Sequence, residues 1–295
     1  MSNWNEGYFT DSDYTYHYFN IINPLRIRMA LLHAGLRPPN VENCCELGFG
    51  QGISLNIHAS SSPNNWYGTD FNPSQALFAR MISEESQNGA IVSDLDFESF
   101  NKLGSLPNFD YICIHGVWSW VSDVHKKQLM GFVKEKLNPG GVLYLSYNVT
   151  AGNGAMLALR SILKQRYDFL RSTGEDLNSA ILNALKFVES LLGKNSKFLR
   201  SNPDMANRIA SLKTKPPEYV AHEYLNEHWK PMTFSEIETF CSDAKLSFVG
   251  SANYLDEIEI VNFHEDQLSV LSQINDSANK QNCKDIYLDR IFRND

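Results

Sequence analysis

Between residues 41 and 148 five short apolar runs alternate with amphipathic stretches, a rhythm that leaves few folds open to this 295-residue chain. VENCCEL, NNWYGTDF, AIVSDL, FDYICIHG and VLYLSYN read as strands. ISLNIHAS, NPSQALFARMISEES and DVHKKQLMGFVKEKL, set between them, read as helices, the second with Asn72 as its N-cap. Upstream, Pro24 opens a helix over PLRIRMALLHAGL that Gly35 stops, and RPPN and NPGG mark turns. Strands alternating with helices make a parallel sheet covered on both faces, so the expected fold class is α/β, doubly wound and Rossmann-like.

After the fifth strand the alternation breaks. Residues 152–216 are helical in pattern, with amphipathic runs such as MLALRSILKQRYDFL and AILNALKFVESLLG. TFSEIETFCSDAKL then reads as a helix and SFVGSAN as a strand, a return to the earlier rhythm. The expectation is a helical cap inserted after the fifth strand, at the carboxyl ends where such sheets bind ligands. The expected organisation is an aromatic and helical leader over 1–40 packed on the core, a nucleotide-binding core over 41–150, the cap over 151–230, a return to the sheet over 231–263, and a helical segment over 264–295.

The run ELGFGQG joins the first strand to the first helix. In the dinucleotide fingerprint G-x-G-x-x-G, glycines and a helix N-terminus receive a pyrophosphate. Here Gly48, Gly50 and Gly52 are spaced one residue shorter, and Glu46 stands two positions before the first of them. A carboxylate at a strand tip suits a ligand with a cationic end rather than a pyrophosphate, and S-adenosylmethionine carries both an ammonium and a sulfonium. Asp70 ends the second strand and is placed to accept hydrogen bonds from both ribose hydroxyls. Asp94 ends the third, placed to accept from the adenine amino group, with Leu95 donating its backbone N–H to the ring. Gln51 in the loop and Phe71 after Asp70 complete the expected cofactor set. The competing reading is a structural turn with solvated acids.

A net charge of −8 argues against a nucleic-acid partner, which needs clustered Lys and Arg. The five cysteines form no CxxC pair and lie mostly in apolar runs, which favours buried thiols over disulfides or metal ligands. The start MSNWNEGYFTDSDYTYHYFN lacks the regions of a signal peptide, and no apolar run reaches bilayer length; the expected location is the cytoplasm.

The same segments resemble the class I S-adenosylmethionine-dependent methyltransferases, and within them a bacterial group carrying a methyltransferase regulatory domain. The likeness includes DYTYHYF, NPLRIRMALLHAG, CELGFGQGISLNIHA, WYGTDFNPSQALFA, FDYICIHGVWSWVS, GGVLYLSYN and EYVAHEYLNEHWKP. ELGFGQG alone marks the superfamily, whereas HGVWSWVS together with AHEYLNEHW is specific to the group. Rickettsial protein lysine methyltransferases are its relatives. The resemblance implies methyl transfer to nitrogen or oxygen, with protein lysine as the favoured acceptor, a glycan or small metabolite next, S-adenosylhomocysteine as product and no metal. One departure falls on the acceptor-side loop, where the group's Pro-Gly-Trp after SYN is replaced by NVTAGNG. The ending FRND resembles the middle of the family's pattern, which implies a native chain continuing beyond Asp295.

Residues just after the fourth strand face the transferred methyl in this fold, which here means HGVWSWV. His115 is a candidate contact to the cofactor's methionine part or a candidate general base, against a structural role. Trp118 and Trp120, two apart, share one side of an extended segment and are candidates for an aromatic channel drawn to cations, against core packing. Tyr147 and Asn148, ending the fifth strand, are expected at the pocket mouth, and Tyr14 and Tyr18 of the leader on the substrate side. His222 and Tyr224 are further catalytic candidates; His222 and His228 are six apart, which excludes the H-E-x-x-H zinc spacing. Two rival functions remain: a cofactor-binding regulatory module without turnover, and an NAD-dependent oxidoreductase.

Overall fold

The computed structural model describes residues 7–9, 15–193 and 195–295. They form two compact units. One takes Asn153–Trp229 with the described residues up to Thr15, and the other takes Tyr16–Gly152 with Lys230–Asp295.

The second unit holds the sheet. Its strands are β1 (Asn43–Leu47), β2 (Asn65–Thr69), β3 (Ile91–Ser93), β4 (Phe109–Ile114), β5 (Leu137–Asn148) and β6 (Phe292–Asn294), in the order β3-β2-β1-β4-β5-β6. The first five run parallel, and β6 pairs antiparallel with β5, Ser146 opposite Asn294 and Asn148 opposite Phe292. The order reverses between β1 and β4, which makes the carboxyl ends of these strands the switch point of the sheet.

Period-two alternation divides the core into two layers. Cys44, Trp66, Tyr111, Cys113 and Tyr144 face one layer with Leu55, Ala76 and Ile27. Cys45, Ile112, Ile114, Leu145 and Tyr147 face the other with Leu129, Phe132 and Ile237. Burial on both sides explains why Tyr111–Ile114 of β4 reads as an unbroken apolar run. Pro24 sits in the first turn of the helix Pro24–His33 and Asn72 caps Pro73–Ser86, its side chain accepting from the Ser74 N–H, as the sequence leads one to expect. All five cysteines are free, and burial pushes the thiols of Cys44, Cys45 and Cys113 well up.

Two local expectations are corrected. SFVGSAN is not a strand: residues 247–253 have no ladder, and the segment reaches the edge only through the Ala252 N–H and the Ser251 hydroxyl, which donate to the Asn294 carbonyl at 2.7 and 3.3 Å. The edge strand is instead β6, in the stretch read as purely helical. Its Arg293 is buried, donating to Asp285 at 2.9 Å and Asp295 at 2.7 Å, with its guanidinium 4.8 Å from the Phe234 ring centre. This buried charge cluster pins the last residues to the sheet, an arrangement that no local pattern announces.

The chain leaves the sheet unit after β5 and returns to it at Lys230. The Lys230 N–H donates to the Ser119 carbonyl at 2.8 Å and the Met232 N–H to that of Asn148 at 2.9 Å.

The helical unit is built from Leu177–Leu191, Met205–Leu212, Pro217–Tyr224 and most of Thr150–Ser172. The Phe9 N–H donates to Asn226 Oδ1 at 2.6 Å, and the Phe9 ring meets Tyr167 and His222. No helix among the described residues is long and apolar enough to cross a membrane.

Candidate active site

At the end of β1 the chain must turn sharply into the helix Ile53–Ser61. Gly48, Gly50 and Gly52 all take positive φ, 75°, 58° and 66°. At Gly52 a side chain is excluded twice, since a Cβ there would lie 2.5 Å from that of Ala79. The Gly48 N–H donates to the Thr69 carbonyl at 2.8 Å, extending the β1–β2 pairing into the turn.

Asp70 holds that turn from the next strand. Its Oδ2 accepts from the Gly50 N–H at 2.8 Å and its Oδ1 from the Asn72 N–H at 3.0 Å. Each carboxylate oxygen has two acceptor sites, so one on each remains for a ligand's hydroxyls. Glu46 is 4% exposed, and its Oε2 is buried without a hydrogen-bond partner. Alternation puts Glu46, two past Cys44, and Asp70, four past Trp66, on the same layer of the sheet.

Both acids are shifted by their surroundings. Burial, then the charge of Asp70, pushes the Glu46 carboxyl up to about 8. Burial raises Asp70 to about 6, partly offset by its hydrogen bonds from Asn72 and Gly50. Neither is in an ion pair among the described residues. A buried carboxylate pair with an orphaned oxygen calls for a cation or a set of N–H and O–H donors. An ammonium- and hydroxyl-bearing nucleoside fits that demand.

Asp94 follows β3 directly and is exposed. The Leu95 N–H, expected to reach a base, donates to Ser93 Oγ at 3.3 Å. Gln51 is buried in the glycine turn, and Phe71 is partly buried after Asp70.

His115 follows β4 on the Glu46 layer. Its Nδ1 lies 2.8 Å from the Tyr144 hydroxyl, and its ring is 4.3 Å from that of Phe19. Burial, then the positive charge of His17, lowers it to about 4, so the imidazole is neutral at physiological pH. The Gly116 N–H donates to Ser146 Oγ at 2.9 Å, fixing the loop that carries His115 to β5.

Other candidates are placed differently. Trp118 and Trp120 sit on a 3-10 turn, Trp118–Trp120, not on an extended segment. Trp118 is fully buried in the opposite layer, edge-on to Phe240 at 5.2 Å, so the channel reading fails for it and core packing holds. Trp120 is also buried. Tyr147 is fully buried on that layer as well, its hydroxyl donating to Asp295 at 2.8 Å. Its expected place at the pocket mouth is therefore overturned by the strand's alternation. Asn148 keeps a buried Nδ2 without a partner, while its backbone N–H donates to Ser119 Oγ. Tyr18 is exposed, its ring 5.4 Å from His58, and it is Phe19 that meets His115. Tyr14 lies outside the described residues.

His222 and Tyr224 belong to the helical unit. The His222 ring packs 5.7 Å from Tyr8 and 5.5 Å from Phe9, and Tyr224 packs 5.9 Å from Trp229. Sequence reasoning missed Tyr144 and Asn294; the one available signal was the in-phase spacing of Tyr144 with Ser146 and Asn148 in LYLSYN.

The described residues hold no group of three or more His, Cys, Asp or Glu able to bind a metal. Cavities of about 700 and about 270 Å³ lie elsewhere. The larger is walled by β5 from Leu137 to Leu145, Tyr144 included, and by Phe248 and Gly250, the smaller by residues such as Asn40, Asn64 and His58. Neither is lined by Glu46, Asp70 or His115.

Residues 216–295 match the family described as a predicted methyltransferase regulatory domain. The chain is 35% identical over 297 residues to the Synechocystis protein sll1526, covering 99% of this chain and 58% of that protein. It is 25% identical to the Rickettsia prowazekii protein RP789, covering 93% of this chain and 49% of that one. The solved structure of PKMT2 from Rickettsia typhi in complex with AdoHcy superposes with a TM-score of 0.79 at 24% identity, covering 95% of this chain and 54% of that one. The chain thus spans about half the length of these relatives. It has the Rossmann-like fold of the class I S-adenosylmethionine-dependent methyltransferases, and its last 80 residues match the methyltransferase regulatory domain.

Proposed function

We propose that this chain binds S-adenosylmethionine and transfers its methyl group to a nitrogen or oxygen of an acceptor, with a protein lysine as the favoured acceptor and a glycan or small metabolite next. The observation that carries the reading is the buried pair Glu46 and Asp70 beside the glycine turn, with Glu46 Oε2 unpartnered. Bound there, the cofactor supplies a sulfonium methyl already activated for in-line displacement.

The protein's part is then largely positioning and exclusion of water. Asp70 offers its remaining acceptor sites to the ribose, and Glu46 offers charge to the cationic end. The glycine turn lets the backbone approach closely, since it carries no side chains in the way. Neutral His115 adds no positive charge beside a sulfonium, whereas an imidazolium there would oppose binding. A lysine acceptor must lose its proton first, which burial favours. Acceptor selection is assigned to the helical unit, with His222 and Tyr224 as its candidates. AdoHcy is bound by the related PKMT2, which supports the cofactor choice.

The rival reading, a regulatory module that binds cofactor without turnover, draws on the family match over residues 216–295. Incubating the protein with methyl-labelled cofactor and cell extract, then separating protein, glycan and small molecules, distinguishes them. Label in protein, recovered as methyl-lysine, supports the proposal. Label in another fraction transfers the acceptor assignment, and no label with demonstrable cofactor binding supports the rival.

A further inference from the structure

We propose that Tyr144 and Asn294 are positioning residues that hold His115 as its Nδ1–H tautomer, so that Nε2 presents a lone pair to a nitrogen donor bound in the site. The inference rests on the proposed methyltransferase reading only for the identity of that donor.

The geometry is a three-membered relay. The Tyr144 hydroxyl donates to Asn294 Oδ1 at 2.7 Å and lies 2.8 Å from His115 Nδ1. A phenol has one proton. With that proton committed to an amide oxygen, which cannot donate, the phenol oxygen can only accept from His115. Nδ1 therefore carries the hydrogen, and Nε2 is the acceptor. No described residue hydrogen-bonds to Nε2.

The backbone supports this arrangement from three strands. Cys113 in β4 pairs with Tyr144 in β5, and Ser146 in β5 pairs with Asn294 in β6, so the three residues are brought together by register. The bond from the Gly116 N–H to Ser146 Oγ fixes the loop one residue beyond His115. The rings of Phe19, at 4.3 Å, and Phe292, at 6.3 Å, flank the imidazole. His115 is lowered chiefly by burial, which keeps it neutral and able to accept. His17 is the titratable neighbour that opposes its protonation.

A neutral acceptor on the same layer as two buried carboxylates fits an amine. Two amines qualify, the amino group of the cofactor and that of the methyl acceptor.

The test is long-range ¹H–¹⁵N correlation of the histidine rings in labelled protein, with His115 assigned by His115→Gln. The expected wild-type pattern is a protonated Nδ1 and an unprotonated Nε2. Asn294→Ala frees the Tyr144 proton for His115 and should invert the pattern, while Asn294→Asp keeps an acceptor and should preserve it. Tyr144→Phe should give a tautomer mixture; should that variant not fold, the Asn294 pair decides. A protonated Nε2 in the wild type, or a pattern indifferent to Asn294→Ala, overturns the relay.

Adding S-adenosylhomocysteine separates the donors. A shift confined to Nε2 on its addition assigns the cofactor amine; a shift only on adding n-butylamine to that complex assigns the acceptor. No shift with either, when calorimetry shows S-adenosylhomocysteine bound, overturns the assigned role of Nε2. Absence of calorimetric binding would instead defeat the cofactor reading and leave the tautomer assignment to stand on the spectra. For the cofactor case, Asn294→Ala should weaken S-adenosylhomocysteine about tenfold, the worth of one charge-assisted hydrogen bond.

Discussion

Asp70 Oδ2 accepts the Gly50 N–H at 2.8 Å, so the end of β2 braces the glycine turn that leaves β1. The same carboxylate accepts from Asn72 through its other oxygen, which ties the turn to the N-terminus of the helix Pro73–Ser86. The residue proposed to hold the ribose is thus also the residue that shapes the loop beside it.

Asp70→Ala should lower stability by about 1–3 kcal/mol, because the Gly50 and Asn72 N–H groups lose a buried acceptor. Asp70→Asn keeps one amide oxygen and should cost less, yet weaken S-adenosylmethionine at least about tenfold. Urea denaturation and calorimetry measure the two effects separately. Equal cofactor affinity in Asp70→Asn and wild type would remove Asp70 from the site.

The raised carboxyls make stability depend on pH in a defined direction. Glu46 moves from 4.5 to about 8 on folding and Asp70 from 3.8 to about 6, so the folded state holds these protons more tightly than the unfolded chain. The stabilisation from Glu46 is complete below about pH 4.5 and is lost as pH rises through 8. Ligand-free protein should therefore lose stability between pH 5 and 8 more steeply than Glu46→Gln, as read by melting temperatures in matched buffers. Cofactor binding, which favours the ionised acid, should release protons near pH 7, seen as buffer-dependent heats. A wild-type slope no steeper than that of Glu46→Gln would contradict the assignment.

Gly52→Ala should destabilise the protein by about 1–3 kcal/mol, through both its φ of 66° and the collision with Ala79. Gly104→Ala, at a negative-φ position with no heavy atom within 4 Å, is the control and should change little. Similar losses in both would show that the turn is not the constraint.

Trp118→Ala should cost about 3–5 kcal/mol, as expected for an emptied core position. Trp118→Phe should retain most stability and leave acceptor preference unchanged, since the indole packs on Phe240 in the layer opposite Glu46. A changed preference in Trp118→Phe with normal stability would return this residue to the acceptor side.

Arg293→Met should reveal the edge cluster. Removing the guanidinium leaves buried Asp285 with Arg290, at 3.2 Å, as its remaining ion-pair partner, so the loss should be about 1–3 kcal/mol rather than that of a fully orphaned charge. The double variant Arg293→Met with Asp285→Leu should recover much of that loss by denaturation. No recovery would mean that the cluster acts through packing rather than charge.

Much of this was legible in the sequence because its causes are local. An acid two residues before a glycine turn, at the end of an apolar run, is a strand-tip carboxylate whatever lies beyond, and Glu46 and Asp70 are found there. Tyr147 was misplaced because the face of a strand end depends on register: the adjacent Ser146 looks to one layer while Tyr147 looks to the other. Trp118 was misread because a 3-10 turn, not an extended chain, carries it. Tyr144 and Asn294 touch across 150 residues, and nothing local to either announces the pairing. SFVGSAN has the apolar content of a strand, but only the Ala252 N–H makes a backbone bond to the edge, which Phe292–Asn294 occupies.

Isothermal titration of S-adenosylmethionine into wild-type protein, Glu46→Gln and Asp70→Asn bears most directly on the carboxylate pair as the cofactor's grip. Saturable one-site binding in the wild type, with proton release near pH 7 and weaker binding in both variants, is the predicted result. Wild-type protein that stays folded and gives no binding heat across buffers, temperatures and pH 6–8 would contradict it.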